Sequence, residues 1–134
     1  MDIILVDTSV WINFFKGIET QASKFLRNNL AYIVVATCPT IMQEMLQVIA
    51  LDPEVKKIKS YFDSMAKLTG DPYEMAIEAA NLYRNLRTKG ITIRKPNDCL
   101  IASYAIKNNV LLLHDDKDFQ FIIQNSSLKT VDFN

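Results

Sequence analysis

The chain opens on Ile3-Ile4-Leu5-Val6, an unbroken aliphatic run that goes straight into Asp7. This constrains the fold more than any other stretch. A short continuous run of branched apolar residues reads as a strand covered on both faces, as in a parallel sheet with helices on either side. Asp7 then lies at the carboxyl end of that strand, the edge of an open α/β sheet where ligands collect. Thr8 and Ser9 are placed to cap a following helix, with Val10, Trp11, Phe14 and Phe15 as its apolar side.

The remainder of the chain keeps the same alternation. The spacing predicts a helix over 19–29, a strand over 31–36, and a helix capped by Thr37 that carries Ile41, Met42, Met45, Leu46 and Ile49. Asp52-Pro53-Glu54 opens a further helix, and Ala66–Thr69 reads as a short strand. Asp71-Pro72 starts a long helix with Met75, Ala79, Leu82, Tyr83 and Leu86 as its buried stripe and Gly90 as its stop. Pro96-Asn97-Asp98 starts another, ending at Asn108-Asn109. Val110–Leu113 is a third clear strand, a short helix carries Phe121, Ile122 and Ile123, and Leu128–Phe133 reads as a last edge strand. Strands alternating with helices imply a three-layer α/β/α sandwich around a central, mainly parallel sheet. A length of 134 residues suits a single domain spanning 1–134.

Composition narrows the function classes. The first residues lack the basic start and cleavage site of a signal peptide, and no apolar run reaches the ~18 residues a membrane span needs, so a cytoplasmic location is expected. Cys38, Cys99 and His114 are too few for a Cys/His zinc site, and the cysteines are expected to be buried small hydrophobes. The 15 Lys and Arg balance the 15 Asp and Glu, whereas nucleic-acid binders are usually basic. The mean hides a local bias, because Arg87, Lys89, Arg94 and Lys95 crowd the approach to Asp98. A plain solvated face is the ordinary explanation of such a run; the sharper one is a grip on RNA phosphates.

Four acids need a reason for their positions. Asp7 and Asp116 follow aliphatic strands, Glu44 lies in a helix after a strand, and Asp98 is in the first turn of a helix. Strand carboxyl ends and helix amino ends share one edge of a parallel sheet, so the four can converge. Gathered carboxylates repel one another and lose hydration. A hard divalent cation with a preference for oxygen, Mg²⁺ or Mn²⁺, relieves both. Such an ion suits phosphodiester hydrolysis.

The segments DTSVWI, Glu44 in its helix, NDCLIASYA, and an aliphatic strand followed by HDDKDF together resemble the PIN domain family, most closely the VapC-type toxins of toxin–antitoxin pairs. The resemblance covers essentially the whole chain. It implies an α/β/α, metal-dependent endoribonuclease that cuts RNA, a homodimer, and a small antitoxin whose segment occupies the acidic cleft. By position, the metal-site and catalytic acids fall on Asp7, Glu44, Asp98 and Asp116, with Thr8 or Ser9 as the hydroxyl residue after the first acid. The sequence departs from the pattern at His114, where Thr or Ser is usual two residues before the last acid; a histidine there reads as a supporting, structural group rather than a base. Asp115 and Asp118 compete with Asp116 for the fourth position. The rival readings are a catalytically silent PIN-like module that binds RNA or protein, and a receiver-like signalling domain. The strand over 31–36 ends without an aspartate, which counts against the receiver.

Overall fold

A computed structural model of the chain describes residues 1–48 and 52–133. Its elements run β1 (Ile3–Val6), α1 (Thr8–Lys16), α2 (Gln21–Asn29), β2 (Val34–Thr37), α3 (Pro39–Val48), α4 (Asp52–Asp63), β3 (Ala66–Lys67), α5 (Pro72–Thr88), α6 (Asn97–Lys107), β4 (Leu111–Leu113) and α7 (Asp118–Gln124). The described strands form one sheet in the order β3-β2-β1-β4. Every pairing is parallel: Ile4 lies opposite Val35 on one side and Leu111 on the other, and Ala36 opposite Ala66. The expected α/β architecture with a central parallel sheet and flanking helices is the one observed.

The order of the strands decides where a site can form. From β1 the chain crosses to β2 and β3 on one side, then returns to place β4 on the other. The sheet therefore reverses its winding between β1 and β4, and a crevice opens beyond the carboxyl ends of strands at such a switch. Asp7 follows β1 and Asp116 follows β4, one on each side of it. Asp7 N–H donates to Leu113 C=O at 2.9 Å, so the ladder continues to the rim of the crevice.

The core explains the rigidity of that rim. Leu5, Val6, Val10, Trp11, Ile101, Ala102, Ala105, Leu112 and Phe119 are all buried. Trp11 stacks on Phe15 at 5.6 Å and meets Phe62 edge-on at 5.5 Å, which joins α1 to α4. Helix α1 packs on α2 and α3, α3 on α4 and α6, and α5, α6 and α7 on one another. Gly17 ends α1 at φ 71°, a left-handed conformation that a side chain resists.

Local chemistry moved several boundaries. Asp7, not Thr8 or Ser9, caps α1, because its carboxylate accepts from Ser9 N–H. Helix α2 starts later than 19, since Thr20 and Ser23 form a reciprocal capping box. Residues 31 and 32 make a turn, with Tyr32 N–H on Asn29 C=O at 2.8 Å, so β2 begins at Val34. Thr37 belongs to β2 and caps nothing: its hydroxyl is buried without a hydrogen-bond partner among the described residues. Pro39 does open α3, whereas Ile49, expected in that helix, lies outside the described residues. The expected edge strand over 128–133 is reduced to one parallel bridge, Leu112 to Thr130. Of the expected α5 stripe, Leu82 and Tyr83 are only half-buried. Cys38 and Cys99 are free and buried, as expected. Among the described residues no helix is long and apolar enough to cross a membrane.

Candidate metal centre

Asp7 is held through one of its two oxygens. Ser9 donates to its Oδ2 twice, from N–H at 3.0 Å and from Oγ at 2.6 Å. Ser9 Oγ also accepts from Asp115 N–H at 3.0 Å, which fastens the loop after β4 to the cap of α1. Thr8 points the other way and donates to Glu44 Oε1 at 2.7 Å. The two hydroxyl residues after the first acid thus have different jobs: one orients Asp7, the other Glu44. Glu44 sits on the second turn of α3, and Asp98 in the first turn of α6. Asp7, Thr8, Ser9, Glu44, Lys95 and Asp98 share a cleft of about 240 Å³. A larger hollow of about 760 Å³, along α5 and α6, is lined by none of these acids.

Asp116 approaches Asp98 from the β4 side, in a tighter group that includes neither Asp7 nor Glu44 among the described residues. Oxygens of Asp98, Asp116 and Asp118 lie within 4.8 Å of one another, and all three residues are buried. The alternatives for the fourth acid are therefore separated by geometry. Asp118 stands in the cluster; its N–H donates to Asp116 Oδ1 at 3.0 Å. Asp115 turns away and accepts from Asn13 Nδ2 at 3.0 Å and Thr20 Oγ1 at 2.7 Å, which pins the α1–α2 junction. The signal for Asp118 was present in the sequence as an Asp-x-Asp step beginning α7, but the register of that turn could not be read without the bond from Asp118 N–H.

His114 lies on the far side of Asp116 from the cleft. It is packed against Phe119, ring centres 5.1 Å apart, its Nδ1 is buried without a hydrogen-bond partner among the described residues, and it lines with Asp116, Lys117 and Val131 a hollow that Asp7, Glu44 and Asp98 do not reach. Burial holds its imidazole below the usual histidine range. The four basic residues also divide. Arg94 pairs through Nε with Asp118 Oδ2 at 3.1 Å and through a terminal nitrogen with Asp116 Oδ1 at 3.3 Å. Lys95 Nζ is 3.4 Å from Asp116 Oδ2. Arg87 instead lies over the Tyr83 ring at 5.8 Å, and Lys89 Nζ donates to Asn125 Oδ1 at 2.8 Å.

The electrostatics follow from burial and neighbours. Burial pushes the Asp7 carboxyl up to about 6; the Glu44 charge adds to this and the Ser9 bonds oppose it. Asp98 is pushed up to about 8 by burial and then by the charges of Asp7 and Asp116, with Lys95 opposing. Burial would raise Asp116 too, yet the Asp118 N–H, Lys95 and Arg94 carry it below its ordinary value. Two oxygens are left over. Asp7 Oδ1 and Asp98 Oδ2 are buried with no hydrogen-bond partner among the described residues. An unmet buried carboxylate oxygen is costly, and a pair inside a cluster of acids is chemically matched by a hard cation with oxygen ligands. The residues present fit a divalent metal.

Comparison with known proteins identifies the family and the fold. The model of the family described as PIN domain matches residues 4–122. A VapC ribonuclease of Mycobacterium bovis is 31% identical over 132 residues, covering 97% of this chain and 98% of that protein. Ribonuclease VapC11 of Mycobacterium tuberculosis is equally similar, at 31% identity over 97% of this chain and 98% of its own. Among solved structures, VapBC-1 from nontypeable Haemophilus influenzae superimposes with a TM-score of 0.73 at 18% identity, covering 97% of both chains. DNA-bound VapBC from Salmonella typhimurium gives a TM-score of 0.71 at 19% identity, covering 100% of both. With the matched segment spanning most of its length and relatives similar from end to end, this chain belongs to the PIN domain family, and its likeness there is to the VapC ribonucleases.

Proposed function

We propose that this protein is a Mg²⁺- or Mn²⁺-dependent endoribonuclease that hydrolyses RNA phosphodiester bonds, acting as the toxin of a toxin–antitoxin pair. The observation that carries the metal reading is the pair of unmet buried oxygens, Asp7 Oδ1 and Asp98 Oδ2, beside the Asp98–Asp116–Asp118 cluster. RNA as the substrate is supported by the names of the relatives, and a small antitoxin partner by the VapBC complexes that share the fold. A single domain over 1–134, a homodimer and a cytoplasmic location belong to the same reading.

In this mechanism Asp7, Asp98 and Asp116 hold the metal, directly or through water, and Asp118 joins them. The bound cation supplies charge that polarises the phosphate and makes water more acidic. Glu44, fixed by the Thr8 hydroxyl, orients the attacking water or accepts its proton. Ser9 keeps the Asp7 carboxylate turned towards the cleft. Arg94 and Lys95, next to the acids, and Arg87 and Lys89, on the end of α5, contact the RNA backbone. His114 supports the loop after β4 through its packing on Phe119 and takes no proton.

The test is cleavage of a mixed-sequence RNA by purified protein with Mn²⁺, with chelator, and by Asp7→Asn with Mn²⁺. Cleavage in the first case alone is expected. Equal cleavage with chelator, or by a folded Asp7→Asn protein, overturns the mechanism. RNA binding without cleavage under any condition returns the protein to the silent-module reading.

A further inference from the structure

Lys95 differs from the other cations of this chain. Its backbone carbonyl accepts from Asp98 N–H at 2.9 Å, which anchors it at the start of α6 beside a cluster acid. Lys95 lines the cleft together with Asp7, Glu44 and Asp98, and its ammonium lies 3.4 Å from Asp116 Oδ2. Asp116 is 8% exposed, whereas the Lys95 side chain is 61% exposed, so the lysine enters from solvent over a buried acid.

The two oxygens of Asp116 are shared out between the cations. Oδ1 takes Arg94 and the Asp118 N–H, both fixed by other bonds, since the Arg94 backbone N–H also donates to Asp118 Oδ2 at 3.2 Å. Oδ2 faces Lys95. Lysine is a compact point charge on a flexible stem, without the planar fork that fixes Arg94 on two carboxylates. Asp116 Oδ2 is the oxygen that no fixed donor occupies, so it is the one a divalent cation held by Asp98 and Asp116 would draw on, and the Lys95 ammonium beside it would repel that cation.

We propose that Lys95 is a tethered internal cation that occupies the Asp116 side of the metal centre in the metal-free chain and must leave when a divalent metal binds. It thereby lowers the metal affinity of the site and keeps its acids partly neutralised until metal arrives. This rests on the metal reading above. Arg94 stays in place in both states and Lys95 exchanges. The displaced ammonium is then free at the mouth of the cleft.

The experiment is calorimetric titration of Mn²⁺ into the whole protein in the absence of RNA, at alkaline pH where proton release from the acids does not compete. The parent is compared with Lys95→Gln, which removes the charge, Lys95→Arg, which keeps it, and Lys89→Gln, which removes a cation that contacts Asn125 instead. Exposure of the Lys95 side chain makes the substitution safe for the fold. Lys95→Gln is expected to bind Mn²⁺ roughly fivefold more tightly, the factor set by losing one partly exposed ion pair. Lys89→Gln should stay close to the parent, Lys95→Arg should bind no more tightly than the parent, and the gain of Lys95→Gln should shrink at high salt. Unchanged or weaker binding by Lys95→Gln, when the parent binds, overturns this inference alone. A gain of the same size in Lys89→Gln also overturns it, since that is a general effect of net charge. No Mn²⁺ binding by any of the four proteins overturns the metal reading and this inference with it.

Discussion

Replacing Asp7 by Asn should stabilise the metal-free protein while destroying its site. Asp7 is 4% exposed, and its carboxyl sits at about 6 against an ordinary 3.8. Its proton is therefore held more tightly in the folded chain than in the unfolded one. Stability from this group is fully present below about pH 4 and is lost as pH rises through about 6. The gap of about 2.2 pH units, at 1.36 kcal/mol each, makes the loss about 3 kcal/mol. Asn does not ionise, so it escapes the loss. It also caps helices as well as Asp, and its amide oxygen can take both Ser9 donors. Its NH₂ would replace Oδ1, an atom without a partner that lies among acids.

Thermal melts in chelator between pH 4 and pH 8 read this directly. Parent and variant should melt together near pH 4. By pH 7 the variant should melt about 10 °C higher, at roughly 3 °C per kcal/mol for a domain of this size. Millimolar Mn²⁺ should reverse the order, because metal stabilises only a native state that binds it. A variant that melts below the parent at pH 7 in chelator, or by the same margin at every pH, refutes the argument from burial.

Three further outcomes follow from particular contacts. Thr8→Val removes the 2.7 Å bond to Glu44 and should slow single-turnover cleavage roughly ten- to a hundredfold, the worth of a hydrogen bond to a charged group, with little change in melting. Asp115→Ala should cost ~1–3 kcal/mol in denaturant unfolding by freeing Asn13 and Thr20, yet leave Mn²⁺ affinity alone, whereas Asp118→Asn should weaken Mn²⁺ binding. The double variant Arg87→Ala/Lys89→Ala should weaken RNA binding similarly across sequences and flatten its salt dependence by up to ~1.4 in slope, about 0.7 per lost phosphate contact; an unchanged slope removes both from the RNA path.

Much of the fold is written in short-range pattern. Unbroken aliphatic runs ending at Val6 and Leu113 read as covered strands, and Asp71-Pro72 reads as the start of a helix, as observed. The convergence of Asp7, Glu44 and Asp98 follows from that, since the edge they share is a property of parallel sheets. What the pattern left out was set by single hydrogen bonds between distant residues. Asp115 and Asp118 are equivalent as letters beside Asp116. Thr20, far back in the chain, claims one, and Arg94 claims the other. The strand expected over 128–133 failed for the converse reason: an apolar run is necessary for pairing, but among the described residues only Leu112 offers it a ladder partner. The basic residues read as one stretch because sequence distance hides direction; two face acids, one an aromatic ring and one an amide.

The cluster is electrically lopsided, and this bears on how such a site tolerates its own assembly. Arg94 and Lys95 both act on the Asp116–Asp118 side, where they and the Asp118 N–H hold Asp116 below its ordinary value. No ion pair of comparable length reaches Asp7 or Glu44 among the described residues, and burial dominates at Asp7 and Asp98, raising both. At neutral pH the metal-free chain therefore keeps the β4 side ionised and paired while Asp98, at about 8, is mostly protonated. A proton on Asp98 stands in for the missing positive charge on the side the lysine and arginine do not neutralise. Metal binding must then expel that proton, so affinity for Mn²⁺ should climb about tenfold per pH unit between about pH 6, below which Asp7 holds a proton too, and about pH 8, and level off above it. Removing Lys95 withdraws a charge that opposes the rise of Asp98, which moves this break to higher pH. Mn²⁺ titrations of parent and Lys95→Gln across pH 6 to 9 would locate both breaks, and a metal affinity that does not vary with pH in the parent would show that Asp98 is already ionised before the cation arrives.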